Sequence, residues 1–352
     1  MRPSIREGAF KRLGGIYLSF IKRYLLPRLL QYFLVIFVGI TVVFIVPRLT
    51  PVDPVQEMIN TITQRGAYMD PEAIEQLRQS MKEMYGLEGT VFSQYISLWR
   101  RLIIGDFGPS LSQFPTPVVK LIGISLPWTL GLMLVTTLLS WIIGNILGGI
   151  AGYFSSSRWS AAIERFMMVL RPIPYYIFAL ILLLVFGYVI PIFPIAGGTS
   201  IGLKIQFSWK VIADLLRHAI LPALSMILLG MAGWFQTMRL VMSNIVREDY
   251  VMYARAGGLR DTKIAFNYVI KNAMLPQVTG LALSLGQIFG GAMVTEMVFS
   301  YPGIGGLLYT AINAGDYNLI MGITMFSILG IATGALLVDL LYPLFDPRIR
   351  YR

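Results

Sequence analysis

Six long stretches of this chain are free of charge, or nearly so, and each approaches the length that a helix needs to cross a bilayer. They cover residues 29–46, 125–154, 166–190, 219–238, 273–295 and 317–338. About 20 consecutive apolar residues span the hydrocarbon core as a helix. In lipid every backbone N–H and C=O must be satisfied within the protein, so such runs become helices rather than open strands or loops. The pattern predicts an all-α integral membrane protein with six transmembrane helices. Composition agrees: charged residues are 13% of the 352, against roughly 25% in a soluble domain. The run at 125–154 is long enough to tilt or to include an interfacial turn. Arg171, Pro172 and Pro174 interrupt the run at 166–190.

Six crossings put both termini on one side, and the excess of Lys and Arg on the cytoplasmic side chooses which. With segment 1–28 and tail 344–352 in the cytoplasm, the cytoplasmic segments hold 18 of the 29 Lys and Arg. The net charge of +11 is then a topology signal, and a nucleic-acid partner is not expected. Segment 1–28 leads into the first run without a small-residue cleavage site, so it reads as an anchor rather than a leader. The chain has no Cys and one His, His218, which excludes disulfides, thiolate metal sites and a His cluster. No metal or cofactor site is expected on this chain. The dipeptide Gly-Lys never occurs, so there is no phosphate loop for ATP. No paired carboxylates or nucleophile–base set suggests an enzyme.

Two connections are too long to be turns. The outside segment 50–124 contains Asp70-Pro-Glu-Ala-Ile-Glu, an acidic cap followed by Pro in the first turn, which starts a helix that Gly86 ends. We read this segment as a small extracytoplasmic helical cap. The cytoplasmic connector 247–276 is helical and charged. A helix is expected from Asp249, a break at Gly257-Gly258, and a second helix capped by Asp261 and running to Met274, with Pro276 opening the fifth span. Such a rigid knob fits a groove on a partner protein.

The knob resembles the coupling loop of binding-protein-dependent ABC importer permeases, whose strict form is Glu-Ala-Ala, three residues, then Gly. Ala254 and Gly258 match it, while Met252 and Tyr253 depart from it. The peptide-permease branch reads Thr-Ala-Arg-Ala-Lys-Gly-Leu where this chain has Tyr253-Ala-Arg-Ala-Gly-Gly-Leu259, so Gly257 replaces a basic residue. Lys271-Asn-Ala-Met-Leu-Pro276 is similar to the next element of that branch. So are Pro51-Val-Asp-Pro-Val55, Tyr85-Gly-Leu-Glu, Gln94-Tyr95, Gly105-Asp-Phe-Gly-Pro-Ser110, Glu296-Met-Val-Phe-Ser-Tyr-Pro-Gly-Ile-Gly305, Gly315-Asp-Tyr317, Asp339-Leu-Leu-Tyr342 and Asp346-Pro-Arg-Ile-Arg-Tyr351. Over about residues 25–352 the chain resembles the B-type permease of the dipeptide, oligopeptide and nickel importers.

That resemblance implies the type I ABC importer permease fold, with a transmembrane domain over 29–343 in a prokaryotic cell membrane. It implies a second, homologous permease, two ATP-binding subunits that carry ATP and Mg, and an extracytoplasmic solute-binding protein. It assigns docking of the ATPase to Tyr253, Ala254, Arg255, Ala256, Gly257, Gly258 and Leu259. Peptides are the default substrate, with oligosaccharides or nickel as alternatives.

Polar groups within the runs are the candidates for a translocation path. Arg171 either snorkels to the interface or lines the path. Gln236 and Gln287 either hydrogen-bond between helices or line it. Glu296 is expected at an interface or capping a loop, Asp339 paired with an Arg of the tail, and His218 ahead of the fourth span. Gly144, Gly148 and Gly152, with Gly149 beside them, recur at the spacing of close helix packing, as do Gly286 and Gly290 beside Gly291, within the subunit or across a permease pair. The competing function is an ion-coupled secondary transporter acting alone. It calls for an inverted repeat and mid-span acids, and the sequence shows neither.

Overall fold

The computed structural model describes residues 21–49, 55–56, 59–60, 70–84, 88–204 and 206–345. Segment 1–20, the motif residues 51–54 and 85–87, including Gly86, and the tail 346–352 lie outside them. The elements among the described residues are helices, joined by turns and by longer connections, among them residues 104–117. α1 (Leu26–Leu49) follows a wide turn at Ile21–Leu25. α2 (Pro71–Met84) begins where the sequence places it, with Ile74 N donating to Asp70 O at 3.0 Å. α3 (Val91–Ile103) is capped by the Thr90 hydroxyl, which accepts from Ser93 N. α4 (Val118–Tyr153) passes through Pro127 without breaking.

The third run is not one helix. α5 (Arg158–Leu170) and α6 (Tyr175–Leu183, continued by wider turns over Leu184–Val189) meet at a bend of 98°. The cause is Arg171-Pro-Ile-Pro174: each proline lacks an N–H, and each disfavours the helical conformation in the residue before it. The expected single crossing over 166–190 is therefore replaced by a corner. α7 (Trp209–Ile245) is capped by Ser208 and runs through Pro222, starting well before the charge-free run 219–238 and continuing past Arg239. His218 lies inside this helix and is buried, with its Nδ1 2.9 Å from Asp214 O, rather than ahead of the span.

The fifth run is also interrupted. After α8 (Asp249–Ala256), α9 (Asp261–Ile264) and wide turns over Ala265–Ile270, α10 (Lys271–Gly286) continues straight through Pro276. It ends in a tight turn, Gln287–Gly290, and Gly291 at φ +73° leads into α11 (Met293–Val298). α12 (Ile304–Asn313) and α13 (Tyr317–Phe345) complete the fold. Four helices among the described residues are long and apolar enough to cross a membrane, and the bent pair makes at most a fifth. That is one fewer than the six expected from the runs, because the fifth run is divided between α10 and α11.

Glycines set how closely the helices approach. A Cβ on Gly144 or Gly148 would stand 2.6 Å from the carbonyl oxygens of Met231 and Phe235, and one on Gly152 2.8 Å from Met242 Cβ. The stripe on α4 therefore lies directly on the α7 backbone, within the subunit. Gly286 crosses Gly334 in the same way, fastening α10 to α13. α1 and α13 run antiparallel: Gly39 abuts Ile328, and the Tyr32 hydroxyl meets Thr333 Oγ1 at 3.2 Å. Asp339 pairs with Arg28 at 2.9 Å, while the tail arginines expected as its partners lie outside the described residues.

Candidate functional site

The connector folds as a helix, a glycine break and a second helical stretch. α8 follows α7 after a three-residue turn, with Glu248 as its cap residue. It ends in a Schellman motif: Leu259 N donates to Ala254 O at 3.3 Å, and Gly258 N to Arg255 O at 3.1 Å. Gly258 takes φ +75°, a conformation that costs other residues about 1–2 kcal/mol. Nothing lies within 4 Å of where its Cβ would stand, so the glycine is there for conformation and not for space.

One side of the knob is built into the fold. Val251, Ile264, Val269 and Ala273 are buried against Met238 and Met242 of α7, with Ala254 and Leu259 packed at their edge. The Tyr153 hydroxyl, at the end of α4, donates to Asp261 Oδ1 at 2.9 Å. Asp261 is the first residue of α9 and not its cap, because its carboxylate is turned to Tyr153; the cap position belongs to Arg260 and carries no side-chain bond. Asn272 Nδ2 donates to the Tyr250 hydroxyl at 3.2 Å and to Tyr268 O at 2.7 Å. The knob is therefore tied to α4, α7 and α10 together.

The other side is open. Met252, Tyr253, Arg255, Ala256, Gly257 and Gly258 are exposed, Tyr253 at 77%. Of the seven residues expected at the docking site, five present themselves outward. Ala254 and Leu259 turn inward and hold the knob down.

The three path candidates do not form one group. The Arg171 guanidinium, at the end of α5, donates to Gln236 Oε1 of α7. Three residues further along α7, Arg239 pairs with Glu164 of α5. These two contacts brace the corner against α7. Gln287 is exposed in the turn that ends α10. None of the three lines the open apolar groove of about 530 Å³ between α4 and α7, whose walls include Trp128, Leu132, Leu216, Ile220 and Tyr301.

Two carboxylates hold the opposite end of the bundle, and sequence reasoning did not foresee their partners. Asp316 is fully buried. Its Oδ2 accepts from Ser110 Oγ at 2.5 Å, Leu111 N at 2.8 Å, Ser112 N at 3.0 Å and Ser112 Oγ at 2.9 Å. Its Oδ1 accepts from Leu319 N at 3.0 Å, capping α13. The motifs at 105–110 and 315–317 are thus two halves of one clasp. Glu296 is also fully buried, and of the two roles expected for it the contacts match the capping one. Its Oε1 accepts from Thr129 Oγ1 at 2.8 Å and its Oε2 from Gly306 N at 3.0 Å, at the N-terminus of α12. A side chain at Gly303 would overlap this carboxyl group, which accounts for the glycine.

Comparison with known proteins agrees with the motifs. Residues 144–351 match the binding-protein-dependent transport system inner membrane component family. The chain belongs to this family. It is 33% identical to the oligopeptide transport system permease protein AppB of Bacillus subtilis, over 90% of this chain and 96% of that protein. It is 30% identical to the oligopeptide permease OppB of Haemophilus influenzae, over 94% and 99% respectively. It is also 30% identical to the di/tripeptide permease DppB of Pseudomonas aeruginosa, over 90% and 95%. The chain is therefore an ABC transporter permease, a membrane component and not an enzyme, and the matched stretch includes the whole knob.

Proposed function

We propose that this chain is one of two permease subunits of an ATP-driven importer of peptides, and that the exposed side of α8 and its glycine turn is where an ATP-binding subunit docks. The observation that carries this reading is the two-sided knob. Its inner side is fixed to α4, α7 and α10, and its outer side presents Tyr253, Arg255, Ala256, Gly257 and Gly258. A motor pulling on such a knob moves three helices at once, which is what mechanical coupling requires. Peptides are favoured because the similar permeases named above are described as oligopeptide and di/tripeptide systems. In this reading α10, its terminal turn and α11 act as a broken crossing and α5–α6 as a bent one. Both termini and the knob face the cytoplasm, and ATP and Mg stay on the partner subunits. A solute-binding protein delivers the substrate to the outer face. A transporter acting alone finds no support: Glu296, the acid just after the fifth run, has both oxygens bonded to neighbouring elements.

The test is reconstitution of the complete importer with Arg255→Glu and Tyr253→Ala in this chain. Both variants should insert normally and lose ATPase activity stimulated by the loaded binding protein. Unchanged stimulation in both would remove the docking assignment. The peptide assignment is tested separately, by identifying the ligand of the cognate binding protein.

A further inference from the structure

The segment before α4 reads from sequence as an outside cap, but α3 is not placed like one. Depth can be measured along α1. Its apolar run, 29–46, is centred near Phe37, and the run of α13, 317–338, is centred near Ile328. The two midpoints meet in space, since Gly39 abuts Ile328. α3 descends along this pair. At its start Gln94 Oε1 accepts from Arg48 at 2.9 Å, at the outer edge of the run. The next residue, Tyr95, lies edge-on to Phe44 and its hydroxyl is 2.6 Å from Thr41 Oγ1. One turn further, Trp99 stacks on Phe37 with ring centroids 5.9 Å apart. Leu98 and Leu102 pack with Ile36, Ile40 and Met325. From Val46 to Phe37 is about 13 Å along a helix, so the lower end of α3 stands near the middle of the apolar layer.

The turn beneath α3 is built for such a place, where unpaired backbone groups are costly. Gly105, at φ +73°, donates to Leu102 O at 3.1 Å, and Asp106 N donates to Arg101 O at 2.9 Å, which closes the helix end. The chain then climbs back within five residues to Ser110 on the Asp316 clasp at the head of α13. Five extended residues reach about 17 Å, enough to recover that depth. The outward face is largely apolar, with Phe92 72% exposed, Ile103 81% and Ile104 76%, and the half-exposed Asp106 at its lower end is paired with Arg101 at 3.2 Å. Arg100 lies on the same face. Helical side chains lean towards the N-terminus, here the outer end, so Arg100 is directed to the headgroups rather than the centre.

We infer that α3 is a re-entrant helix sunk into the outer leaflet, with Ile96, Ile103 and Ile104 against lipid acyl chains and Phe92 at the headgroup boundary. The leaflet follows from the orientation proposed above; the insertion does not. The chain has no native Cys, so single labels are specific once the partner subunits are made cysteine-free. Spin labels would be placed by Ile103→Cys, Ile104→Cys and Phe92→Cys in the complete transporter in liposomes. Val38→Cys serves as the lipid-facing control and Glu83→Cys as the aqueous one. Variants that retain transport are compared by relaxation from oxygen, which concentrates in acyl chains, and from a nickel chelate, which stays in water. At 103 and 104 the oxygen-to-chelate ratio should equal that at 38 and exceed that at 92. A ratio at both positions equal to that at 83 would place the helix in water. Weak relaxation by both reagents would mean a protein cover. Either result overturns the inference.

Discussion

Removing the Asp316 carboxylate should cost more stability than any single polar truncation on the surface of this protein. Asp316→Ala takes away one oxygen that accepts four hydrogen bonds and one that caps α13. The hydroxyls of Ser110 and Ser112 can turn elsewhere, but the N–H groups of Leu111, Ser112 and Leu319 have fixed directions. A buried donor left without a partner costs about 1–3 kcal/mol, and about 2 kcal/mol is taken for Leu319 N, whose bond is also the cap of α13. Leu319 N is buried and the other two are part-buried, so the low end applies to them and the sum is about 4 kcal/mol. Asp316→Asn keeps one acceptor oxygen but turns an NH₂ towards donors, and should cost about half as much. In detergent solution the thermal midpoint of Asp316→Ala should fall by roughly 8 °C, at about 2 °C per kcal/mol. The Ser110→Ala change should cost little once Asp316 is gone, since the two share one hydrogen bond. A midpoint within a degree of the parent, as expected for the exposed Glu72→Ala, would refute the clasp.

Further outcomes follow from packing. Gly148→Val should push α4 off α7 and cost about 3 kcal/mol or more, because its Cβ would stand 2.6 Å from Phe235 O, whereas Gly131→Val meets nothing within 4 Å and should leave the thermal midpoint unchanged. Gly258→Ala should lower stability by about 1–2 kcal/mol through its positive φ alone, and Gly257→Ala, at φ −76°, by less; parallel melts separate them. Arg28→Ala should cost no more than about 1 kcal/mol, because the pair with Asp339 is 31–39% exposed.

Much of the fold was legible because lipid imposes simple rules, and the misses have physical causes. Hydropathy located the runs but measured the apolar layer rather than the helix. α7 extends past its run at both ends, since Lys210 and Arg239 are tolerated once the helix leaves the hydrocarbon. The same measure stays high across Arg171-Pro-Ile-Pro174, where the direction of the chain turns through 98°. The Gly257-Gly258 break was readable because a positive φ is a local demand that glycine meets. Asp261 was misread as a cap because its partner, Tyr153, is 108 residues away. The glycine spacing on α4 signalled a close approach but not that α7 makes it. Ser110 and Asp316 lie 206 residues apart, and only the fold brings their motifs together. At the knob the sequence marked seven residues, but which of them face outward depends on the cluster around Met242 and Val251.

The central claim is that the exposed side of α8 meets an ATP-binding subunit in the cytoplasm. Tyr253→Cys, in a chain with no other Cys, tests it by site-directed cross-linking in the assembled importer. The account predicts a cross-link to an ATP-binding subunit, and labelling of the uncomplexed chain by an impermeant maleimide only from the cytoplasmic side. Labelling from the outer side, or free reactivity in the assembled complex with no cross-link, would contradict it.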